Sequence, residues 1–231
     1  NWQFHTIVKE LQNFCNIDLS SFYLDIVKDR LYCSGPAKER TSSQTVLYQT
    51  LLNLLSLLAP VLSFTAEEAY LTLKNEIYTP NGIKSEESIH LTELPSVNDG
   101  YMDEEYAKTW DTLIEIRKDV LKQIEVLRSE KKIGHSLESV VDLYADENTY
   151  ELLQENKEEL APLFVVSGVN LKRKNKSTSG VYKGALVDVE VHKSGAKKCE
   201  RCWRYLESVG ANDKYPDLCE RCASVIKNYY S

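Results

Sequence analysis

Two Cys-Glu-Arg-Cys tetrapeptides near the carboxyl terminus constrain this chain more than any other feature of its sequence. They occupy residues 199–202 and 219–222 and give the pattern C-x2-C-x16-C-x2-C. Zinc prefers a tetrahedron of four thiolates, with each pair supplied by a tight turn, and this spacing is typical of structural sites. Residues 195–231 are too few to fold by apolar burial alone, so we expect their folding to depend on one structural ion. The predicted ligands are Cys199, Cys202, Cys219 and Cys222.

Other uses of these cysteines are less favoured. Two redox C-x-x-C pairs or two disulfides are the alternatives, and iron could replace zinc in a tetrathiolate site. Because the sequence shows no export signal, we expect a reducing compartment, the cytoplasm, where thiols bind metals. His192 is interpreted as a strand residue, and Cys15 and Cys33 as small buried thiols in helices.

The charge distribution suggests a polyanionic partner, although the net charge is −7. Residues 172–204 contain ten basic and three acidic side chains, whereas the rest of the chain is strongly acidic. Such asymmetry is expected when one face of a protein meets nucleic acid. No segment is apolar for the roughly 20 residues that a membrane span needs, so we predict no membrane-spanning segment. We predict no signal peptide either.

Cations and an aromatic ring surround the predicted metal site, and they can be interpreted in two ways. Bases of unpaired RNA stack on aromatic rings while phosphates pair with lysine and arginine, which favours a nucleic-acid surface. Alternatively, the arginines neutralise a tetrathiolate site of net charge −2 and the tryptophan covers it. The two interpretations are about equally supported by the sequence. The residues concerned are Lys197, Lys198, Arg201, Trp203, Arg204 and Arg221.

Periodicity predicts a mainly α protein with four regions. Residues 1–95 are predicted to form a helical bundle. One helix is expected to start at Ser20 or Ser21, another to span 43–58, and a capping box of Thr65 with Glu68 to begin the next. Residues 96–136 form a connector and one long helix that begins near Asp103 and is closed by Gly134.

The remaining two regions are smaller. Residues 137–195 are predicted as an α/β subdomain with strands over 139–144, 163–171 and 181–191, a helix over 148–160, and a basic hairpin tip between the last two strands. Residues 196–231 form the zinc knuckle. The sequence contains no Gly-rich nucleotide loop and no hydrolase motif. The carboxylate pairs at 67–68 and 158–159 are interpreted as solvated helix faces, so no catalytic residue is predicted.

Three segments resemble one known family. Residues 18–32 (DLSSFYLDIVKDRLY) are similar to the signature of the anticodon-binding helical domain of bacterial-type isoleucyl-tRNA synthetases. Residues 128–138 (RSEKKIGHSLE) resemble the segment that follows the family's long helix, and the two cysteine pairs resemble its carboxyl-terminal zinc module. The valyl and leucyl enzymes share the helical bundle but lack this knuckle, so the chain is identified as a carboxyl-terminal fragment of the isoleucyl family. Its first residue, Asn1, fits a piece of a longer protein.

The resemblance implies a class I ligase that joins isoleucine to its tRNA with ATP and hydrolyses mischarged valine. The family's HIGH and KMSKS motifs have no match here, so the fragment should neither bind ATP nor catalyse. It should act as a monomer that binds the anticodon stem-loop of isoleucine tRNA and no DNA, with Arg201 and Trp203, and less strongly Arg204, as base contacts. The alternatives are a DNA glycosylase-type zinc-finger fragment and a purely architectural zinc module.

Overall fold

The computed structural model describes residues 3–76, 86–174 and 181–230. The chain divides into two compact units, one made of Asn1–Cys15 and Ala37–Met102 and the other of Asn16–Pro36 and Asp103–Ser231. We refer to them as the first and second units. The expected mainly α class with a small mixed sheet is confirmed, while the four boundaries given above stay predictions.

The amino-terminal helices follow one another without a break. Helix α1 (Phe4–Asn13) leads into a π-helix (Phe14–Tyr23), which leads into α2 (Leu24–Tyr32). The predicted helix start at Ser20 or Ser21 is therefore wrong. The Ser21 hydroxyl donates to the carbonyl of Asn16, five residues earlier, at 2.7 Å, so it is satisfied inside the helix and does not cap a new one.

Two helices build the core of the first unit. Helix α3 (Lys38–Leu58) begins five residues before the predicted start, and α4 (Ser63–Glu76) already contains Thr65, so the predicted capping box is wrong. The helices and the 3-10 turn Ile89–Leu91 share one apolar cluster. Its buried members are Leu55, Ala59, Ala66, Tyr70, Leu73 and Ile89. The sequence Asn-Gly at residues 81–82 predicts a turn, but it lies outside the described residues.

The long helix of the second unit, α5, spans Glu104–Ser129. Its predicted start is confirmed, because the Asp103 carboxylate accepts a hydrogen bond from the amide of Tyr106 at 2.9 Å and caps the first turn. Its end differs from the prediction: the chain turns at Lys131, whose φ is 58°, before Gly134 is reached. Residues on one face of α5 are fully buried against the sheet and α7, among them Leu113, Val120 and Ile124.

A four-stranded sheet lies beside α5 in the order β2-β1-β4-β3. Its strands are β1 (Ser139–Ala145), β2 (Gly168–Arg173), β3 (Tyr182–Lys183) and β4 (Asp188–Lys193). Strand β1 is central and pairs in parallel with β2 and antiparallel with β4. The hairpin predicted between β2 and the last strand is therefore wrong, since these two strands lie on opposite sides of β1. Most of its predicted tip, residues 175–180, lies outside the described residues.

Two helices occupy the segment between β1 and β2, where one was predicted. They are α6 (Glu147–Glu155) and α7 (Lys157–Phe164). The predicted strand over 163–171 starts only at Gly168, because Leu163 and Phe164 complete α7 and are buried in the core. Val165 ends the helix in the left-handed region with φ 55°. A last helix, α8 (Glu220–Tyr229), follows the second cysteine pair. No helix in the described ranges is long and apolar enough to cross a bilayer.

Candidate metal centre and nucleic-acid surface

Each cysteine pair is presented by a different kind of local structure. The first lies in a tight turn. There the amide of Trp203 donates to the carbonyl of Cys199 at 2.8 Å, and the amide of Cys199 donates to the carbonyl of Arg204 at 2.9 Å. The second opens a helix, with Cys219 at the N-cap of α8 and Cys222 in its first turn. A helix amino terminus carries a partial positive charge, which favours thiolates there.

The four sulfur atoms lie within 4.8 Å of one another, and all four cysteines are buried. The Sγ atoms of Cys202 and Cys219 are 3.9 Å apart. With Zn–S bonds of about 2.3 Å, a tetrahedral site requires S···S separations of about 3.8 Å, so the donor set fits zinc. His192 is not a member of this group, in agreement with its interpretation as a strand residue. Cys33 is buried as expected, whereas Cys15 is half-buried.

Crowding of the thiols alters their proton affinities in opposite directions. The pKa of Cys219 is lowered to about 3, chiefly because its thiolate accepts a hydrogen bond from Cys202 and another from Cys222. The pKa of Cys222 is raised, chiefly by its hydrogen bonds with Cys202 and Cys219 and by burial. These sulfurs compete for shared protons, and a divalent cation bound among them removes that competition by replacing the protons.

Arg201, a predicted base contact, points its guanidinium at helix α2. Its Nη2 donates to the carbonyl of Tyr32 at 3.2 Å and its Nη1 donates to the carbonyl of Cys33. The same Nη1 lies 3.8 Å from the Sγ of Cys222. In return, the Cys33 thiol donates to the Arg201 carbonyl at 3.6 Å. Arg201 therefore joins the cysteine turn to the end of α2 and brings positive charge to the thiolates.

Arg204 and Arg221 make further attachments. Arg204 donates from Nη2 to the carbonyl of buried Ser167 at 2.9 Å, and the Ser167 hydroxyl accepts from the amide of Tyr205 at 2.6 Å. Arg221 forms a two-point ion pair with Asp29, with Nη2 2.6 Å from Oδ1. Burial raises the pKa of Asp29, but the hydrogen bonds and charge of Arg221 outweigh it, so the pKa is lowered overall.

Trp203 differs from the arginines because its side chain is 55% exposed. Its backbone is left-handed, with φ 63°. The ammonium of Lys198 lies 5.6 Å from the centre of the indole ring, and the His135 ring stands edge-on to it with centroids 6.5 Å apart. His135 was missed as a single residue by sequence reasoning. The only signal was its position within the 128–138 segment used for the family resemblance.

Much of the positive charge of residues 172–204 is engaged within the protein. Lys174 and Lys183 both pair with the buried carboxylate of Asp188, at 2.9 and 2.6 Å. Other pairs join Lys172 to Asp142, Arg173 to Glu147 and Lys193 to Glu138. Asp188 belongs to the segment itself, whereas the other three acidic partners, at residues 138, 142 and 147, precede it in the sequence. Counting charges along the sequence therefore overstates the positive charge that this segment offers to a ligand.

Comparisons with known proteins agree with this site. Residues 1–144 match the family described as the anticodon-binding domain of tRNA ligase, and residues 196–225 match the zinc finger found in FPG and IleRS. Proteins named isoleucine–tRNA ligase are similar over nearly the whole chain. That of Desulforamulus reducens is 43% identical over 100% of the chain, that of Carboxydothermus hydrogenoformans 41% over 98%, and that of Symbiobacterium thermophilum 43% over 97%. The chain spans 24% of the length of each.

Proposed function

The chain belongs to the family of anticodon-binding domains of tRNA ligases, and from that membership we propose that it is the tRNA-recognising portion of an isoleucine–tRNA ligase. The observation that carries the proposal is the presence of two modules in one chain. A match to the anticodon-binding domain of tRNA ligase at residues 1–144 is followed by a match to the zinc finger found in FPG and IleRS at 196–225. Proteins that are similar over nearly the whole of this chain, and therefore across both segments, are named isoleucine–tRNA ligases.

The whole protein would join isoleucine to its tRNA with ATP, as a class I ligase, and would hydrolyse mischarged valine. This chain supplies neither reaction, because the sequence lacks the family's nucleotide-binding motifs. It contributes binding of the anticodon stem-loop of isoleucine tRNA. We further propose that it acts in the cytoplasm as part of a monomer and binds no DNA.

One zinc ion held by Cys199, Cys202, Cys219 and Cys222 would have a structural role. The sulfur spacing, the burial of all four cysteines and the finger match support this role. When bound, the ion fixes the relative positions of the cysteine turn and α8. Because four thiolates fill a tetrahedral shell, no position is left for an activating water molecule. The contribution of the protein chain is to hold Trp203 and the arginines in place around it.

Trp203 is the base contact that the geometry supports best, since its ring is exposed and has a cation beside it. Arg201 and Arg204 stay proposals as base contacts. Their guanidinium groups bind main-chain carbonyls in the free protein, so an RNA contact by either would have to use its remaining N–H groups.

Two other functions deserve a test. The finger family is shared with FPG, which keeps a DNA glycosylase-type fragment as an alternative; base excision from damaged duplex DNA would favour it. The attachments of Arg201, Arg204 and Arg221 favour an architectural zinc module that binds no RNA.

Binding of stem-loop RNA to the purified chain separates these possibilities. We expect the anticodon stem-loop of isoleucine tRNA to bind, with affinity falling more than tenfold as salt rises from about 50 to about 200 mM. Stem-loops of unrelated tRNAs should bind more weakly at every salt concentration. Equal affinity for all stem-loops would contradict the proposed specificity, and no binding at low salt would favour the architectural module.

A further inference from the structure

Both cysteine pairs direct an arginine onto the same helix end. Arg201 and Arg221 stand in equivalent positions, each directly before the second cysteine of its Cys-Glu-Arg-Cys tetrapeptide. Arg201 donates to the main-chain carbonyls of Tyr32 and Cys33. The Arg221 guanidinium pairs with the Asp29 carboxylate at 2.5 and 2.6 Å. All three partners lie in the last turn of α2 or directly after it.

Residues 29–35, which we refer to as the α2 end, gain stability from these two arginines. The last carbonyls of an α-helix have no partner within the helix and carry a partial negative charge. The Arg201 guanidinium supplies both donors and positive charge at this position. Asp29 places a carboxylate in the same negatively charged turn, which is unfavourable, and the ion pair with Arg221 neutralises it.

Side-chain packing attaches the α2 end to the same part of the chain. A Cβ added at Gly35 would lie 2.5 Å from Cε2 of Tyr229, so the Tyr229 ring on α8 lies against the backbone directly after α2. Cys33 belongs to one buried cluster with the four predicted zinc ligands, and its thiol donates to the Arg201 carbonyl at 3.6 Å. The α2 end therefore contacts the cysteine turn, the second cysteine pair and α8.

The arginine contacts require that the two cysteine pairs converge. Arg201 comes from the first pair, yet its Nη1 lies 3.8 Å from the Sγ of Cys222 in the second pair. A cation beside a thiolate stabilises it, and such partners of metal ligands contribute to metal affinity. Residues 195–231 have too small an apolar core to hold the pairs together alone. A bound ion does so by taking ligands from both pairs.

We propose that the α2 end docks onto the cysteine turn and α8 only while the four cysteines share a metal ion, with Asp29 as a positioning residue that raises metal affinity through Arg221. The proposal rests on the structural zinc site proposed above and is independent of RNA binding. Thermodynamic linkage makes the effect reciprocal: contacts that form only in the metal-loaded protein strengthen metal binding by the same factor by which metal stabilises them. Metal occupancy is thereby transmitted to Cys33, 168 positions before Arg201 in the sequence.

Hydrogen–deuterium exchange of the unaltered chain with and without zinc tests the docking. The amides of Cys33 and Ser34 both donate to the carbonyl of Asp29, at 2.9 and 3.2 Å, so they report directly on the α2 end. We expect them to exchange about tenfold faster after zinc is removed with a chelator, because the last turn opens when its partners leave. The amides of the central strand β1 should exchange at the same rate in both samples. Unchanged protection of Cys33 and Ser34 in protein that has lost its zinc would overturn the proposal.

Asp29→Asn measures the reciprocal effect on the metal. The substitution keeps the shape of the side chain but removes the charge that pairs with Arg221. We expect zinc affinity, measured by competition with a chromophoric chelator, to fall about tenfold, whereas the loss of a residue that only stabilises α2 would leave it unchanged. Asp25→Asn is the matched control, because Asp25 lies on the same helix and pairs with Lys28 there. Circular dichroism melting verifies that both variants fold.

The outcomes separate this proposal from the zinc site on which it rests. Equal zinc affinity in the unaltered chain, Asp29→Asn and Asp25→Asn would overturn the coupling and leave the zinc site standing. If the unaltered chain binds no stoichiometric zinc, the zinc site and the coupling both fail. Should Asp29→Asn not fold, the exchange comparison decides the proposal, because it uses the unaltered chain only.

Discussion

At the scale of single residues, the arginines around the cysteine cluster are held by contacts within the protein. Arg201, Arg204 and Arg221 are each bound to a main-chain carbonyl or a carboxylate in the second unit. A guanidinium presents five donors in a fixed plane, which suits attachment at several points. Trp203 differs from them, because more than half of its surface is exposed and its ring contacts are with Lys198 and His135. The RNA-binding prediction at this scale therefore rests chiefly on Trp203.

Substitutions of Trp203 should separate recognition from stability. Trp203→Ala should weaken stem-loop binding by about 1 to 3 kcal/mol, the value of one lost stack, with little change in melting temperature. Trp203→Gly should lose the same affinity while keeping or slightly raising the free energy of unfolding, because glycine adopts a φ of 63° without strain. Titration calorimetry and urea denaturation measure the two quantities. A parallel loss of stability and unchanged affinity per folded molecule would instead assign Trp203 an architectural role.

Residue-level chemistry could be predicted from the sequence where spacing encodes it. The four cysteines converge as their C-x-x-C spacing requires. Other features could not be predicted, because they depend on contacts between distant segments. Asp29 meets Arg221 across 192 positions, and His135 meets Trp203 through tertiary packing. No local pattern marks such partners.

At the scale of elements, the presence of helices could be predicted more accurately than the residues at which they end or the connections between the strands. The starts of α5 and β1 agree with prediction because local signals define them. The capping signals at Ser20, Ser21 and Thr65 failed because serine and threonine can also satisfy their hydroxyls inside a helix, as Ser21 does. The strand order depends on long-range pairing, so alternation alone could not tell that β1 separates β2 from β4.

The turn between β3 and β4 provides a stability test. A Cβ added to Gly184 would lie 2.5 Å from both the Val187 carbonyl oxygen and the Asp119 carboxylate. The Asp119 carboxylate also accepts from the amide of Ala185 at 2.9 Å, so neither neighbour can move freely. Gly184→Ala should therefore lower the free energy of unfolding by about 1 to 3 kcal/mol. Gly195→Ala, where a Cβ meets no atom within 4 Å, is the matched control in urea denaturation.

Acid should weaken the sheet through Asp188. Burial raises the pKa of this carboxyl, but hydrogen bonds and charges from Lys183 and Lys174 lower it overall, below its ordinary value of 3.8. The unfolded state then binds the proton more readily. The stabilising effect is therefore complete well above pH 4 and is lost as pH falls through the lower, folded-state pKa.

The corresponding variant isolates this effect. Asp188→Asn should lower the free energy of unfolding by about 1 to 3 kcal/mol at pH 7, and by progressively less as the pH approaches 3. Urea denaturation between pH 7 and 3 measures the difference, with the exposed Asp213→Asn as control. A difference that stays constant over this range would show that Asp188 does not titrate with folding.

At the scale of the whole molecule, the second unit contains both the cysteine cluster and the end of α2 to which Arg201 attaches it. Residues 16–36 belong to this unit although the sequence places them in the helical bundle. Their inclusion follows from contacts that close over long distances, such as those of Arg201 with the end of α2. Family membership could be inferred from the sequence, because the order of its motifs is linear. Which segments of the chain form each unit could not be inferred in this way.

If a tetrathiolate zinc site shapes the surface to which an RNA loop binds, RNA binding should depend on the metal. The most direct test is to measure stem-loop affinity in one preparation as purified, after zinc removal with a chelator, and after zinc is restored. We predict one zinc per chain by elemental analysis, at least a tenfold loss of affinity on removal, and recovery on restoration, with Cys202→Ser behaving as the zinc-free protein and Cys15→Ser as the loaded one. A chain without stoichiometric metal whose RNA affinity is unaffected by the chelator would contradict this dependence of RNA binding on zinc.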